Sequence, residues 1–433
     1  MNRYDKHKDS GVEWIGEIPY NWKEIKLKYI GYMYSGLSGK NGGDFKQVEN
    51  HLNKTFIPFT NVANNINIDP NKLEHVVIQK DESQNLVKKN DLFFMMSSEN
   101  FDDVGKATIL LHDLGETYLN SFCKGFRVTS KNVNAEYLNY LLLNDAYRKR
   151  MMIEANGFTR INLKMEKVND FLISLPPLME QTIIANFLDE KTSQIDKLIF
   201  NKQKLIELLK EERTAIINNA VTKGINPNVK LKPSGIEWLS DIPEHWEVKK
   251  LKYVAKLRDE LIQNADFKIA VENIESGSGN IVNMEEEKIY EGQLSSFKKG
   301  DTIFNKLRPY LHKVYLAEKD GGLFGELLII YTKGELISSF LYYKLFSKEF
   351  IDIVDGSTQG TKMPRANWND FISQLFISFP KDKLVQNQIV EHIDIQTKKV
   401  NSTISKIEKE IELMQEYRTA LISEVVTGKI KIT

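Results

Sequence analysis

Apolar positions recur along this chain in two distinct rhythms. From Val400 onward, Val400, Ile404, Ile407, Ile411, Met414, Arg418 and Leu421 alternate spacings of four and three residues, which is the a/d seam of a coiled coil. Ile195, Ile199, Lys202, Ile206, Leu209, Arg213 and Ile216 stand at the matching places of an earlier stretch. Polar residues fill most other positions, so each stripe is narrower than the face of a deeply buried helix. Pro176-Pro177 and Pro380 precede the two stretches, and Gly224 and Gly428 follow them, as starts and stops of helices do. About 45 residues rising about 1.5 Å each predict a rod of roughly 65 Å.

The remaining chain carries short β-type runs between Asn-, Asp- and Gly-rich turns: Phe56–Phe59, His75–Ile78, Asp91–Phe94 and Ala107–Leu110. Lys88-Lys89-Asn90-Asp91-Leu92-Phe93-Phe94 is echoed by Lys298-Lys299-Gly300-Asp301-Thr302-Ile303-Phe304. Apolar stretches long enough for a helix lie near 135–147 and 336–346.

Internal repeats set the architecture. SGVEWIGEIPYNWKEIKLKYI at Ser10–Ile30 aligns without gaps on SGIEWLSDIPEHWEVKKLKYV at Ser234–Val254, 224 residues on, with 11 of 21 positions identical. Gln181–Ile225 aligns likewise on Gln386–Ile430, 205 residues on, with 17 of 45 identical. Repeats this far apart are a duplicated module, not a solenoid. The expected fold class is α+β: two similar α+β domains separated by a pair of long antiparallel coiled-coil helices, with an internal pseudo-two-fold duplication. The expected divisions are 1–177, the helix 178–225, 226–380 and the helix 381–433.

Lys+Arg and Asp+Glu are both 59 among 433 residues, so no global field draws the chain to a polyanion, and local patches must do so. One cysteine, Cys123, excludes an internal disulfide framework. No apolar run approaches the roughly 20 residues that span a bilayer, and the charged N-terminal residues lack a secretion signal's apolar core, so a cytoplasmic protein is expected. Enzyme motifs are absent. Gly36-Leu37-Ser38-Gly39-Lys40 lacks phosphate-loop spacing, Ile18-Pro19-Tyr20-Asn21 is the nearest approach to an amino-methyltransferase motif, Glu286-Glu287-Lys288 has no upstream Pro-Asp partner, and the seven histidines show no paired ligand spacing.

Two similar domains on a rigid spacer suit two half-sites on duplex DNA. The SGVEWIGEIPxxW…KLKYI head of each module, LPPLMEQTIIANFLD at the first long helix and FNKLRPYLHKVYLAE in the second domain resemble the specificity subunit of type I restriction-modification enzymes, over essentially the whole chain. The resemblance implies two target recognition domains reading a bipartite DNA site. The implied partners are double-stranded DNA, two methyltransferase subunits and, in the restricting complex, motor-nuclease subunits. They would use S-adenosylmethionine, ATP and magnesium for adenine-N6 methylation or cleavage, while this chain binds no cofactor and catalyses nothing. The sequence departs from the pattern twice. Val385 replaces the glutamate before Gln386, and Met95-Met96-Ser97-Ser98-Glu99-Asn100 stands where the second domain has KLRPY. The rival readings are a stand-alone DNA methyltransferase or nuclease, and a coiled-coil scaffold with no DNA role.

Candidate DNA contacts fall in three places. Asn305, Lys306, Arg308, Tyr310 and Lys313 follow an expected strand, and arginine can read guanine, asparagine adenine, while lysine neutralises phosphate. Loops before each long helix combine glycine, hydroxyls, amides and bases. One holds Arg160, Asn162 and Lys164, the other Thr358, Gln359, Lys362 and Arg365. Lys40 and Lys46 are weaker candidates, better read as a solvated loop. The bland alternatives are an Arg308–carboxylate pair within the fold, a core Tyr310 and ordinary surface turns. Trp14, Trp22, Trp238 and Trp246 read as structural packing, because duplex DNA hides its base faces. Arg213 and Arg418 on the seam read as register-setting residues or partner contacts.

The spacer reading is testable: inserting residues into helix 195–216 should change the gap between half-sites in the methylated DNA motif and leave the half-sites themselves unchanged. Altered half-sites with an unchanged gap would refute it.

Overall fold

The computed structural model describes residues 3–45, 50–157, 159–282, 284, 292–358, 360 and 364–432. The chain divides into two compact units, Met1–Asn201 with Glu410–Thr433, and Lys202–Lys409. Gln359, Lys362, Lys46 and the 286–288 triplet lie outside the described residues.

In the first unit β1 (Gly31–Ser35), β2 (Leu92–Met95), β3 (Ala107–Ile109) and β4 (Cys123–Val128) form an antiparallel sheet in the order β1-β4-β2-β3. A smaller sheet pairs Asn53–Ile57 with Glu74–Val77 and Thr117–Leu119. The apolar stretch near 135–147 becomes two helices, α1 (Ala135–Leu143) and α2 (Asp145–Ile153). Asn144 divides them, because its Oδ1 accepts the amides of Ala146 and Tyr147 and so caps a new helix.

The long helix α3 runs Leu178–Lys223. Its Ile184, Ala185 and Leu188 share a core with Leu421, Ile422, Val425 and Val426 of the chain's last helix. Trp22 is fully buried in the same core, and Trp14 packs edge-on to Tyr147 at 5.0 Å. Gly428, with φ 73°, ends the last helix where a Cβ would lie 2.4 Å from Pro19, so only glycine fits.

The second unit repeats this design. β5 (Ala255–Leu257), β6 (Thr302–Asn305), β7 (Val314–Leu316) and β8 (Leu327–Thr332) pair in the equivalent order β5-β8-β6-β7. Two helices follow, α4 (Ser338–Phe346) and α5 (Lys348–Gly356), with Ser347 capping where Asn144 caps in the first unit. The last helix, α6, runs Lys383–Val426. Its Ile389 and Ile393 share a core with Ile217, Ala220 and Val221 of α3 and with buried Trp246. In each unit, therefore, the start of one long helix lies beside the end of the other, which makes the pairing antiparallel.

The seam residues expected on α3 and α6 are the buried or half-buried ones, and most intervening positions are exposed. Both seam arginines bridge to the opposing helix in the same register. Arg418 Nε lies 3.0 Å from Asp196 Oδ1, and Arg213 Nη1 donates to Asn401 Oδ1 at 2.9 Å.

One buried glutamine anchors each helix start. Gln181 Oε1 accepts the Asn134 amide at 2.8 Å, while its Nε2 donates to the carbonyls of Asn132 and Pro176. Gln386 does the same with the Ile337 amide and the carbonyls of Glu335 and Pro380. The glutamate before it acts in one unit alone: Glu180 accepts from Tyr4, Asn21 and Trp22. Its absence before Gln386 thus removes an accessory clasp and spares the anchor itself.

The helix ends meet buried polar heads. In the first unit the Tyr137 hydroxyl lies 3.3 Å from the carbonyls of both Ser174 and Val426, and the Tyr147 hydroxyl 2.8 Å from Ser174 Oγ. Phe340 and Phe350 occupy those places in the second unit, and Lys344, replacing Leu141, supplies the missing donor. Its Nζ donates to the Val221 carbonyl at 3.2 Å and lies 3.5 Å from Ser378 Oγ. A cation beside helix-terminal carbonyls suits the dipole, yet burial pulls the Lys344 pKa down to about 8, against the opposing pull of Glu349, whose carboxylate lies 4.0 Å away. Folded chains release this proton while unfolded chains still hold it, so Lys344 makes stability rise with pH from about 8 toward the ordinary lysine range. Urea midpoints of the intact chain and of Lys344→Met should therefore converge or cross between pH 7 and 9.5, the wild type gaining on the order of 2 kcal/mol relative to the variant. Parallel profiles would mean that Lys344 stays charged throughout.

Candidate nucleic-acid interface

The candidate site in each unit begins with a pinned strand. Asp91, immediately before β2, is buried and accepts Arg127 Nε at 2.9 Å, Arg127 Nη2 at 2.6 Å and the Tyr34 hydroxyl at 2.5 Å. Asp301, before β6, accepts Arg258 Nε at 2.6 Å and Nη2 at 3.2 Å. The partners have exchanged strands. Arginine comes from β4 and tyrosine from β1 in the first unit, whereas Arg258 follows β5 and Tyr331 lies on β8 in the second. Guanidinium still stacks on ring, at 4.9 Å in one unit and 5.1 Å in the other. The bond to Asp91 chiefly raises the Arg127 pKa, and burial raises that of Tyr34, so Arg127 stays charged and Tyr34 protonated.

Beyond the pinned strand, the chain meets the loop that precedes the long helix. In the first unit Ser97 and Ser98 pair antiparallel with Asn162 and Ile161, and the Leu163 amide donates to the Met96 carbonyl at 2.9 Å. The returning loop is itself a tight hairpin, with Asn156 and Asn162 exchanging both backbone hydrogen bonds. Gly157 is required there, because a Cβ would come within 2.0 Å of the Arg160 carbonyl. In the second unit Leu307 bridges antiparallel to Arg365, the Arg308 amide donates to the Pro364 carbonyl at 3.0 Å, and the Ala366 amide donates to the Lys306 carbonyl at 2.9 Å. Two of the three sequence candidates, both in the second unit, are thus one structure, a pair of antiparallel segments, and the third pairs in the same way with Ser97 and Ser98 in the first unit. The register makes Asn162 the counterpart of Arg365, although composition alone pairs Arg365 with Arg160.

The candidate side chains divide by direction. Arg308, Tyr310, Arg365, Arg160, Asn162 and Lys164 are exposed, Tyr310 by 52%, so the core reading of Tyr310 fails. Thr358 is half-buried, and its hydroxyl donates to the Asp355 carbonyl at the end of α5. Asn305 is buried, its Oδ1 accepting the Leu307 amide at 3.1 Å, and Lys313 Nζ donates to the Val271 carbonyl at 2.8 Å. Both shape the loop from within. Arg308 (φ 55°) and His312 (φ 49°) are left-handed non-glycine residues bracketing buried Pro309. Such backbone is costly, and the surrounding packing must impose it.

Two holders that sequence reading did not single out orient the arginines. Glu326 Oε1 accepts Arg365 Nη2 at 2.8 Å, and its other oxygen lies 3.8 Å from Lys306 Nζ. Phe122, 46% exposed, lies under the Arg160 guanidinium at 5.0 Å. Each immediately precedes the equivalent strand, β8 or β4. One unit therefore presents a basic tip clamped by a carboxylate, and the other an amide, hydroxyls and a stacked arginine.

Residues 19–210 match the family model described as the type I restriction modification DNA specificity domain. The specificity subunit of the type I restriction enzyme EcoDI from Escherichia coli is 24% identical over 317 residues, covering 66% of this chain and 70% of that protein. A putative type I specificity subunit, MjaX, from Methanocaldococcus jannaschii is 29% identical over 249 residues, covering 55% of this chain and 53% of that protein. The fold superposes, at 12% identity, on a chain from a structural study of type I restriction-modification complex assembly, with TM-score 0.69 and coverage of 95% of this chain and 99% of that one. It also matches the HsdS subunit from Thermoanaerobacter tengcongensis, TM-score 0.54, covering 95% and 98%. Among the described residues no helix is long and apolar enough to cross a membrane. In sequence this chain is similar to the specificity subunits of type I restriction-modification enzymes, and its fold is like that of an HsdS subunit.

Proposed function

We propose that this chain addresses a type I restriction-modification complex to a bipartite DNA sequence, each unit reading one half-site through its paired segments. The observation that carries the reading is the recurrence of one scaffold with divergent tips. The pinned strand and its antiparallel partner are the same in both units, while the side chains at the tips differ: half-buried Ser97 and Ser98 with exposed Arg160 and Asn162, against half-buried Leu307 with exposed Arg308 and Arg365. A protein that reads two different half-sites needs that combination, because base contacts specify while the framework positions. Arg308 and Arg365 have the chemistry for guanine, and Asn162 has that for adenine.

On this reading the chain has no catalytic role. Two methyltransferase subunits would use S-adenosylmethionine to modify adenine at N6, and motor-nuclease subunits would use ATP and magnesium to cut unmodified DNA. This chain would hold none of these cofactors, and it would work in the cytoplasm, where its DNA is.

The direct experiment is a genome-wide map of methylated adenines with this gene intact and deleted, in cells expressing the partner genes. One split motif should lose its methylation on deletion, and an unchanged map with the methyltransferase demonstrably assembled on the chain would refute the role. At residue level, Arg308→Glu or Arg365→Glu should weaken target binding by the assembled complex roughly tenfold or more, without dissociating it. Unchanged affinity at moderate salt would remove these segments from the interface.

A further inference from the structure

The duplication allows exposed positions to be sorted by what they must touch. A side chain that reads bases should differ between units that read different half-sites. One that touches the sugar-phosphate backbone has no reason to differ, because phosphates are the same at every sequence. Identities that packing cannot explain are therefore informative.

Most of the 11 identities in the first repeat have a packing reason. Ile18, Pro19, Trp22 and Leu27 are buried, as are Ile242, Pro243, Trp246 and Leu251. Ser10 and Ser234 each close a turn with their hydroxyl, and Gly11 and Gly235 have positive φ. Trp14 stacks in the core, and Trp238 packs against that of its own unit. What remains is Glu13 with Glu237, and the run Lys26-x-Lys28-Tyr29 with Lys250-x-Lys252-Tyr253. Tyr29 is 68% exposed and Tyr253 64%. In both units the lysine before the tyrosine lies along its ring, at 5.5 Å for Lys28 and 5.3 Å for Lys252.

Position agrees with identity. Lys28 Nζ lies 2.7 Å from Asp170, at the end of the short helix Met165–Asn169, and that helix begins where the paired segment of the first unit ends, at Lys164. Lys252 Nζ donates at 2.9 Å to Gln374 Oε1, on the chain that leaves the paired segment of the second unit after Arg365. The basic-aromatic run thus flanks the divergent tips through the same connection in each unit. Asp170 and Gln374 hold the lysine heads at the surface, and both partners accept hydrogen bonds as a phosphate oxygen does.

We infer that Lys28-Tyr29 and Lys252-Tyr253 are sequence-independent contacts to the DNA backbone, the lysine meeting a phosphate and the tyrosine hydroxyl donating to a neighbouring one. The inference rests on the proposed DNA-specificity role and adds a division of labour to it: divergent tips read, repeated runs grip. Glu13 and Glu237, whose carboxylates repel phosphate, stand outside it and serve as controls.

The test uses the complex assembled with its methyltransferase partner and two duplexes, one carrying the methylated motif and one of random sequence. Affinity is measured across a salt series. Lys28→Gln and Lys252→Gln should each flatten the log-affinity against log-salt line by about 0.9, and together by nearly 2, on both duplexes alike. Tyr29→Phe with Tyr253→Phe should weaken both duplexes equally and leave the methylated motif unchanged, and Glu13→Gln should leave the slope as it was. An unchanged slope overturns the inference. So does loss of methyltransferase assembly by the lysine variants, seen by sedimentation, which would make the runs a protein-docking surface. If the wild-type complex itself shows no salt-dependent duplex binding, the DNA role fails first and the inference falls with it.

Discussion

A buried glutamine side chain at the start of each long helix is the interaction on which the rest of each unit depends. Gln181 and Gln386 each make three side-chain hydrogen bonds, all to backbone groups and from two sides: the loop before α1 or α4, and the proline carbonyl that opens the long helix. A buried amide that meets every partner fixes position and angle together, and losing it would strand a backbone N–H and two carbonyls at about 1–3 kcal/mol each. The loop it grips leads into the helices that cover the sheet, and the sheet carries the pinned strand. The direction of a long helix and the placing of the reading segments are therefore coupled through one side chain per unit.

The duplication also serves as an experiment on which interactions can be rewritten. The carboxylate before the central strand is kept, while its arginine and tyrosine have exchanged strands. The physical requirement is a guanidinium against a buried charge with a ring beneath it, and two neighbouring strands can meet it either way round. At the helix ends the first unit uses two tyrosine hydroxyls and the second two phenylalanines with one lysine. Both solutions satisfy a terminal carbonyl inside an apolar core. The lysine solution brings a titration into the core that the tyrosine solution avoids, since burial drives Tyr137 far above its usual range. A pattern search for repeated residues passes over both cases, because what repeats is the contact.

What the sequence made legible follows from the range of the interactions involved. The seam of α3 and α6 was readable because helical periodicity is local, and the strands around 92–95 and 107–109 because turns bound them. Asn144 was missed as a divider although its capping role is also local; the apolar run on both sides concealed it. Three of the four candidate segments were legible in composition, residues 97–98 were not, and the union of each pair was invisible, since Ser97 meets Asn162 and Leu307 meets Arg365 across some 60 residues of chain. Composition consequently matched Arg160 to Arg365, and the register matches Asn162 instead. Phe122 and Glu326 carried no local signal, because their task depends on which arginine the fold brings over them.

The balance of 59 basic and 59 acidic residues gains a meaning from these arrangements. Attraction to DNA cannot come from the chain as a whole, and many of its cations are already held: Arg127 and Arg258 by buried aspartates, Arg418 by Asp196, Lys344 by helix-end carbonyls. The cations turned outward at the reading segments are partnered more loosely. Arg365 shares an exposed Glu326 with Lys306, and Arg160 rests on a phenylalanine ring that neutralises nothing. Exposed pairs of this kind are worth about 0–1 kcal/mol and are readily traded for a phosphate or a guanine edge. On the proposed reading Glu326 would have two effects: it would hold the Arg365 guanidinium in place, which lowers the entropy lost on contact, and it would repel an anion placed wrongly. On the same reading, specificity in a chain of zero net charge would arise at tips where attraction depends on displacing such a pair in the right geometry, and the first unit, with Phe122 where the second has Glu326, would obtain it from hydrogen-bond pattern and stacking instead.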